Sequence, residues 1–199
     1  MARSLESWKS VKAAVGRRYE NCKLTNYDAA SDSQRRSVGE VDSFIVQIDK
    51  RTADGKGLIL IGPPGTGKDH LAVSGLREAA RSGFTVAWVD GQTMFRKYRD
   101  LIGTEAQEKF IDAEFTGPDV LLLSDPLPQF GSVTDHQLNT LWRIIDRRYR
   151  DQKPTWATLN ASDRKDAETR LSPQIIDRLC DGALVVACNW ESYRRNRGQ

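Results

Sequence analysis

One segment near residue 60 limits the folds open to this chain more than any other. An apolar run at residues 58–61 is followed directly by a loop of the form Gly-x4-Gly-Lys and then by an apolar-patterned helix. Glycines let consecutive main-chain N–H groups converge on phosphate oxygens, and the helix start adds its positive end. The order strand, loop, helix therefore predicts a phosphate loop that binds ATP. Its binding residues are Gly62, Pro63, Pro64, Gly65, Thr66, Gly67, Lys68, Asp69 and His70.

Short β-rich runs alternate with longer helical patterns through most of the chain. The predicted strands are at 58–61, 85–89, 120–123, 155–159 and 184–188. They are mostly apolar on both faces, as expected for strands that helices cover in a parallel sheet. The predicted helices are at 5–15, 37–50, 70–82, 93–101, 105–115, 134–150 and 164–180. This alternation predicts an α/β fold with a five-stranded, mainly parallel sheet and a ligand at the carboxyl ends of its strands.

Two helix starts carry clear capping signals. Thr134 and Gln137 form a capping box, and Ser172-Pro173 places a cap before a proline in the first helical position. The helix that follows Thr134 has an apolar stripe, predicted to face the core, made of Leu138, Trp142, Ile145 and Tyr149.

Length, composition and cysteine usage exclude several classes of protein. A chain of 199 residues, 39% apolar and 29% charged, fits one globular domain. Apolar runs such as the one at 120–123 are far shorter than the ~20 residues that span a bilayer, so no membrane partner is expected. Cys22, Cys180 and Cys188 form no Cys-x-x-Cys pair, which argues against a disulfide framework or a zinc site. A cytoplasmic location is the simplest interpretation.

The positive charge is modest and unevenly distributed. The formal net charge is +3. Arg143, Arg147 and Arg150 share one face of a predicted helix, and further arginines lie near the end of the chain at 194, 195 and 197. Such charge is usually a solvated surface, and the alternative is a contact with phosphate or with another subunit.

Two positions depart from the usual metal site of a phosphate loop. A Ser or Thr hydroxyl normally follows the lysine, but this chain has Asp69, and the acidic pair expected after the third strand is Ser124-Asp125. A carboxylate beside a triphosphate is repelled unless a divalent cation lies between them. We therefore interpret Asp69, Ser124 and Asp125 as a Mg²⁺ site in which hydroxyl and carboxylate have exchanged places, with Ser124 supporting Asp69. Asp125 would be the base that positions the attacking water; the alternative is a decayed site with poor hydrolysis.

Several segments between residues 19 and 194 resemble one family. The phosphate loop and the segments 146–149, 154–160, 177–179 and 189–194 are similar to those of AAA+ ATPases related to DnaC-type helicase loaders and IstB-type transposition ATPases. The resemblance implies a P-loop NTPase fold of the AAA+ type with a short helical N-terminal extension. It divides the chain into an extension at 1–36, an ATPase domain at 37–194 and a basic tail at 195–199.

The resemblance also implies roles for single residues. Asn160 matches the sensor asparagine that contacts the γ-phosphate or the attacking water, although it could be a helix cap or turn former. Arg178 matches the arginine finger that enters the ATP site of a neighbouring subunit, and the alternative is a surface salt bridge with Asp177 or Asp181. The implied catalytic set is Lys68, Asp125, Asn160 and Arg178.

Nucleotide and DNA contacts outside the loop follow from the same resemblance. Tyr19 and Asn21 lie where the family places adenine-side contacts, and Arg194 would approach the nucleotide from the end of the domain. The segment 94–99 occupies the place where loaders hold single-stranded DNA, and its basic and aromatic residues suit that contact. An ordinary amphipathic helix is the alternative.

Three functions stay open at this point. The leading one is an AAA+ ATPase that assembles on DNA as an ATP-dependent homo-oligomer and serves a replicative helicase or a transposase. Loaders carry a helicase-binding region ahead of the ATPase, and fewer than 40 residues are left for it here, which leaves room for a transposition or phage role. The second is a nucleotide-dependent binding module with little turnover, and the third is a small-molecule kinase.

Overall fold

A parallel sheet forms the centre of the protein. The computed structural model describes residues 2–101, 104, 106–127 and 133–196. The strand order is β2-β3-β4-β1-β5, and every neighbouring pair is parallel, which confirms the predicted α/β fold. The strands are β1 Leu58–Ile61, β2 Val86–Asp90, β3 Val120–Ser124, β4 Thr155–Leu159 and β5 Leu184–Ala187.

Helices connect the strands and cover both faces of the sheet. Among the described residues, none of them is both long and apolar enough to cross a bilayer. Short turns lie at Leu24–Asn26 (3-10) and Asp112–Thr116 (π). The α-helices are α1 Ala2–Val15, α2 Asp32–Val46, α3 Ile48–Ala53, α4 Lys68–Arg81, α5 Gly91–Asp100, α6 Ala106–Ile111, α7 Asp135–Arg150, α8 Arg164–Leu171, α9 Pro173–Cys180 and α10 Tyr193–Asn196.

Three predicted helices differ from the observed ones. The helix expected at 37–50 begins earlier, capped by Ser31 with Gln34, and breaks at Gln47 into α2 and α3. The boundary predicted between residues 36 and 37 falls inside α2, and the division into extension and ATPase domain stays a prediction. The helix expected at 164–180 is two helices, because it is divided at Ser172-Pro173. The predicted helix start at that position is confirmed, since Ser172 caps α9 through Ile175 N. The helix expected at 105–115 continues beyond α6 as the π turn.

Alternation along the strands separates two apolar cores. Ile59 and Ile61 point to one face, where α5 to α9 pack, while Leu58 and Leu60 point to the other, where α1, α2 and α4 pack. Successive strand residues face opposite sides, so a strand between two helical layers is mostly apolar on both. Helix α1 lies against the edge strand β2, where Ser7 Oγ accepts a hydrogen bond of 3.1 Å from Val86 N.

Three of the four residues in the predicted apolar stripe of α7, Leu138, Trp142 and Ile145, pack in or against the core. Tyr149 is 46% exposed, so its assignment to the core was wrong. The buried positions of α7 include Leu141, Ile144, Ile145 and Arg148. The Thr134–Gln137 capping box is confirmed.

Arg148 is a fully buried cation that joins several chain segments. Its guanidinium donates to the carbonyl oxygens of Phe115, Pro118, Asp119 and Pro154 at 2.8–3.0 Å and to Thr155 Oγ1 at 3.1 Å. Burial lowers the pKa of Arg148 to about 9. The contacts fasten the starts of β3 and β4 to each other and to the π turn, so Arg148 fixes the two strands whose ends lie near the phosphate loop.

We expect Arg148→Lys to destabilise the protein by about 3 kcal/mol or more, because a single ammonium leaves several buried acceptors without donors. Urea unfolding monitored by circular dichroism measures the loss. The matched control is Arg147→Lys, one residue away on the exposed face of α7, which should change stability by less than ~0.5 kcal/mol. Equal effects of the two substitutions would contradict the structural role of Arg148.

Candidate functional site

The predicted phosphate loop lies at the carboxyl end of β1, the strand between β4 and β5. Gly62 N donates to Leu159 O at 3.2 Å, which ties the start of the loop to β4. Gly67 precedes α4 with a φ of 89°, and a Cβ there would lie 2.8 Å from a ring carbon of Tyr27, so the position requires glycine. The first N–H groups of α4 have no acceptor within the helix, which leaves them available to an anion.

Lys68 is buried inside this loop. Its Nζ donates to Gly62 O and Pro63 O, both at 2.8 Å, and its side chain is only slightly exposed. Burial lowers the pKa of Lys68, while the nearby Asp69 and Asp125 carboxylates act in the opposite direction. The ammonium therefore sits where phosphate oxygens would replace carbonyl oxygens as its acceptors.

Asp69 is held by two hydroxyl groups from neighbouring strands. Ser124 Oγ donates to Asp69 Oδ1 at 2.8 Å, and Thr158 Oγ1 donates to the same oxygen at 2.9 Å. Ser124 and Thr158 are directly opposite each other in the parallel register of β3 and β4. The sequence suggested the Ser124 contact but not Thr158. Thr158 could have been identified from its position two residues before Asn160, because residues two apart in an extended chain point to the same side.

Asp125 and Asn160 meet at the ends of β3 and β4. Asn160 Nδ2 donates to Asp125 Oδ2, and Asn160 N donates to Asp125 Oδ1 at 3.4 Å. Burial raises the pKa of the Asp125 carboxyl, and the two hydrogen bonds from Asn160 partly offset that effect. Asp125 has a φ of 44°, an uncommon conformation for a non-glycine residue.

The oxygen donors present fit a magnesium ion shared with a nucleotide. Among the residues that the structure describes, no group of three or more His, Cys, Asp and Glu side chains could hold a metal by itself. Mg²⁺ is commonly held by one or two carboxylates together with substrate phosphates. Asp69 offers such a carboxylate, because no group in the described part of the chain donates a hydrogen bond to its Oδ2.

Two aromatic side chains from distant segments fix the main chain of the loop. Tyr27 OH and Trp190 Nε1 each donate to Thr66 O at 2.8 Å. Tyr193 N donates to Gly65 O at 2.9 Å, and a Cβ on Gly65 would collide with Ser192. Neither Tyr27 nor Trp190 was predicted from the sequence to contact the loop.

The N-terminal segment approaches the loop through His70 and Tyr27. His70 Nε2 lies 3.0 Å from Lys23 O and 2.9 Å from Asn26 Oδ1, two acceptors, so the proton is on Nε2. His70 lies in the first turn of α4, and its ring nitrogen contacts oxygen atoms of the N-terminal segment. Its role as a nucleotide-binding residue stays a prediction. Tyr19 and Tyr27 both pack against the core, and Tyr27 also contacts the loop through its hydroxyl. The adenine-side contact of Tyr19 stays a prediction.

Arg178 lies apart from the phosphate loop. Its Nη2 is 3.0 Å from Asp146 Oδ1, and its guanidinium lies 3.9 Å from the centre of the Trp142 ring. Arg178 forms the salt bridge of the alternative, but with Asp146 rather than with Asp177 or Asp181. Its role as an arginine finger stays a prediction. It lines a cavity of about 480 Å³, separate from the cavity of about 720 Å³ whose lining includes Pro63, Pro64 and Asn160.

The segment considered for DNA contact has its aromatic residues turned inward. Phe95 and Tyr98 are buried, which leaves their rings unable to stack on bases in this conformation. Arg96, Lys97 and Arg99 are exposed on the opposite side of α5. The helix thus matches the alternative of an amphipathic helix with a basic outer face, a face that could contact phosphates.

The predicted arginine surface is only partly described. Arg143 is exposed and donates to Tyr98 OH at 3.2 Å, and Arg150 pairs with Asp146 at 3.1 Å. Of the arginines near the end of the chain, Arg194 is exposed, while the side chain of Arg195 and all of Arg197 lie outside the described residues.

Known proteins are similar to this chain in sequence and in fold. The family model described as IstB-like ATP binding protein matches residues 7–199. An insertion-sequence ATP-binding protein of Geobacillus stearothermophilus is 27% identical over 141 residues, 69% of this chain and 55% of that protein. One of Sinorhizobium fredii is 26% identical over 186 residues, 90% of this chain and 58% of that protein. The chain thus spans somewhat more than half the length of these relatives.

A solved helicase loader has a similar structure. The crystal structure of the DnaC helicase loader superposes with a TM-score of 0.77 at 26% identity, covering 86% of this chain and 99% of that one. Sequence, fold and phosphate loop agree with the resemblance given above. The chain belongs to the family of IstB-like ATP-binding proteins, and its fold is that of the AAA+ P-loop NTPases.

Proposed function

We propose that this protein hydrolyses ATP and uses the nucleotide to assemble into a homo-oligomer that acts on DNA. The observation that carries the proposal is the meeting of Asp125 and Asn160 at strand ends next to the loop that holds Lys68. A carboxylate held by a sensor-type amide beside a phosphate-binding lysine is the arrangement that positions a water for phosphoryl transfer.

The residues of the proposed site have different roles in ATP hydrolysis. The loop N–H groups and Lys68 bind and orient the phosphates, and transfer of the ammonium from Gly62 O and Pro63 O to phosphate oxygens compensates its burial. A magnesium ion held by Asp69 would neutralise phosphate charge. Asp125 accepts a proton from the attacking water, which its raised pKa favours, and Asn160 fixes the orientation of that carboxylate.

Arg178 completes the site of a neighbouring subunit in this proposal. Its cavity is separate from the one beside its own phosphate loop. Asp146 and the Trp142 ring hold the guanidinium in a fixed orientation, and Arg178 is only 28% exposed at its side chain. A preoriented guanidinium supplied by another subunit stabilises transition-state charge and makes turnover depend on assembly.

The partners follow from relatives and surface charge. The relatives are named as ATP-binding proteins of insertion sequences and as a helicase loader, so we propose a transposase or a replicative helicase as protein partner. The exposed basic face of α5 supports contact with the phosphates of single-stranded DNA. The same proposal includes a cytoplasmic location. It also includes the division of the chain into an N-terminal extension, an ATPase domain and a basic tail, with boundaries after residues 36 and 194.

A second function is favoured by one observation. Asp69 places an additional negative charge next to the phosphate position, where other phosphate loops have a neutral hydroxyl. If that charge slows turnover, the protein is an ATP-dependent binding module. ATP binding without hydrolysis would distinguish it from the ATPase.

We expect Arg178→Ala to abolish ATP turnover stimulated by single-stranded DNA and to leave ATP binding intact. Lys68→Ala should lose binding itself, because it removes the phosphate-binding ammonium. A 1:1 mixture of the two variants should regain activity, since about a quarter of randomly formed interfaces join an intact loop to an intact arginine. Phosphate release and particle mass in each nucleotide state are the measurements. No recovery in mixtures that do co-assemble would exclude action between subunits.

We expect Asp125→Asn to slow turnover by about 10²–10⁴-fold and to stabilise the nucleotide-free protein at neutral pH. Burial raises the folded-state pKa of Asp125, so its contribution to stability is fully present below the unfolded pKa and is lost as pH rises through the folded one. The stability gain of the variant should therefore vanish near pH ~4. Denaturant unfolding between acid and neutral pH tests this, and a gain independent of pH would contradict it.

If hydroxyl and carboxylate have exchanged places in this site, substitutions at the two positions should compensate each other. Asp69→Thr and Ser124→Asp should each weaken magnesium-dependent ATP binding, and the double substitution should restore it, because the two side chains touch. Calorimetry with ATP at fixed Mg²⁺ measures the cycle. Losses that simply add would show that the two positions do not form one metal site.

A further inference from the structure

The two oxygens of the Asp69 carboxylate have different surroundings. Oδ1 accepts hydrogen bonds from Ser124 Oγ at 2.8 Å and Thr158 Oγ1 at 2.9 Å. Within the described residues, Oδ2 accepts none. Thr158 is 1% exposed and Ser124 is 7% exposed, so both hydroxyls are shielded from water that could substitute for them. The carboxylate therefore presents one occupied and one available oxygen.

Thr158 cannot turn away from Asp69 without losing a second contact. Its Oγ1 also accepts a hydrogen bond of 3.2 Å from Asp125 N, which in addition donates to Thr158 O at 3.0 Å. One hydroxyl thus connects the side chain of Asp69 to the main chain of Asp125. Because Thr is β-branched and Thr158 lies in a buried strand, its side chain has few alternative rotamers.

We propose that Thr158, together with Ser124, restricts Asp69 to binding a metal through Oδ2 alone and thereby sets the choice of cation at the nucleotide site. Thr158 is a positioning residue, and the proposal rests on the proposed ATP–metal site. Mg²⁺ and Mn²⁺ are suited to single carboxylate oxygens in compact octahedral sites. Ca²⁺ takes six to eight oxygens and often uses both oxygens of a carboxylate. Fixing Oδ1 to two hydroxyls disfavours the calcium geometry.

This role differs from general support of the fold. A purely structural hydroxyl would affect nucleotide binding equally with every cation. A hydroxyl that limits Asp69 to one oxygen changes the ratio of affinities between cations, since its removal lets the carboxylate rotate and offer both oxygens. The ratio is therefore the quantity to measure.

Binding of the non-hydrolysable analogue AMPPCP, measured by calorimetry in Mg²⁺, Mn²⁺ or Ca²⁺, tests the proposal on the full chain. The wild type should bind more weakly in Ca²⁺ than in Mg²⁺. Thr158→Val, which keeps the branched shape, should lower the ratio of the Ca²⁺ Kd to the Mg²⁺ Kd by about tenfold. Thr158→Ser retains the hydroxyl and is the matched control, expected to keep the wild-type ratio.

Ser124→Ala provides an independent variant if Thr158→Val fails to fold, and it should lower the ratio in the same direction. In an Asp69→Thr background, Thr158→Val should leave the ratio unchanged, because no carboxylate remains to be restricted. Equal loss of affinity with all cations, or an unchanged ratio in both hydroxyl variants, would overturn the proposal. Failure of the wild type to bind AMPPCP would instead overturn the proposed nucleotide site itself.

Discussion

The register between β3 and β4 is the constraint on which the candidate site depends. Parallel pairing sets Ser124 opposite Thr158. It thereby brings Asp125, one residue further along, and Asn160, two residues further along, to the same edge of the sheet. The side-chain period in a strand is two residues, so a slip of one residue would turn these groups to opposite faces. Arg148 reinforces this register from the other end of the strands, because its guanidinium binds carbonyl oxygens just before β3 and β4.

The charges at this edge explain why the site is suited to a ligand. Lys68 is buried, the pKa of Asp125 is raised by burial, and Asp69 lies close enough to both to affect their pKa values. Each of these groups lacks part of the solvation that water would give it. In the proposed function, a bound nucleotide with its cation would supply the missing opposite charges. The cost in solvation is what is expected of a group of residues selected for binding rather than for stability.

Secondary-structure elements were easier to predict from the sequence than contacts between side chains. The strands β1 and β4 were predicted to the residue, because buried apolar runs bounded by glycine or polar residues leave little freedom of assignment. Arg148 was not predicted in the core, since its interior position depends on carbonyl oxygens from other segments that a sequence does not reveal. The contact between Thr158 and Asp69 joins residues 89 positions apart, and it follows only from the strand order and register. The glycines of the loop indicated a phosphate site from the sequence alone. The side chains that support the loop could be identified only from the fold.

The phosphate loop is connected to both ends of the described chain, which bears on how nucleotide binding could reach a partner. Thr66 O accepts hydrogen bonds from Tyr27 OH, near the N-terminal helices, and from Trp190 Nε1, after the last strand. Both donors bind one carbonyl of the loop whose N–H groups are suited to phosphate, so a change in loop conformation would alter both contacts together. Since side-chain hydrogen bonds to a single peptide are directional, small movements of that peptide weaken them steeply. The segments before α2 and after β5 are therefore coupled to each other through one peptide of the loop.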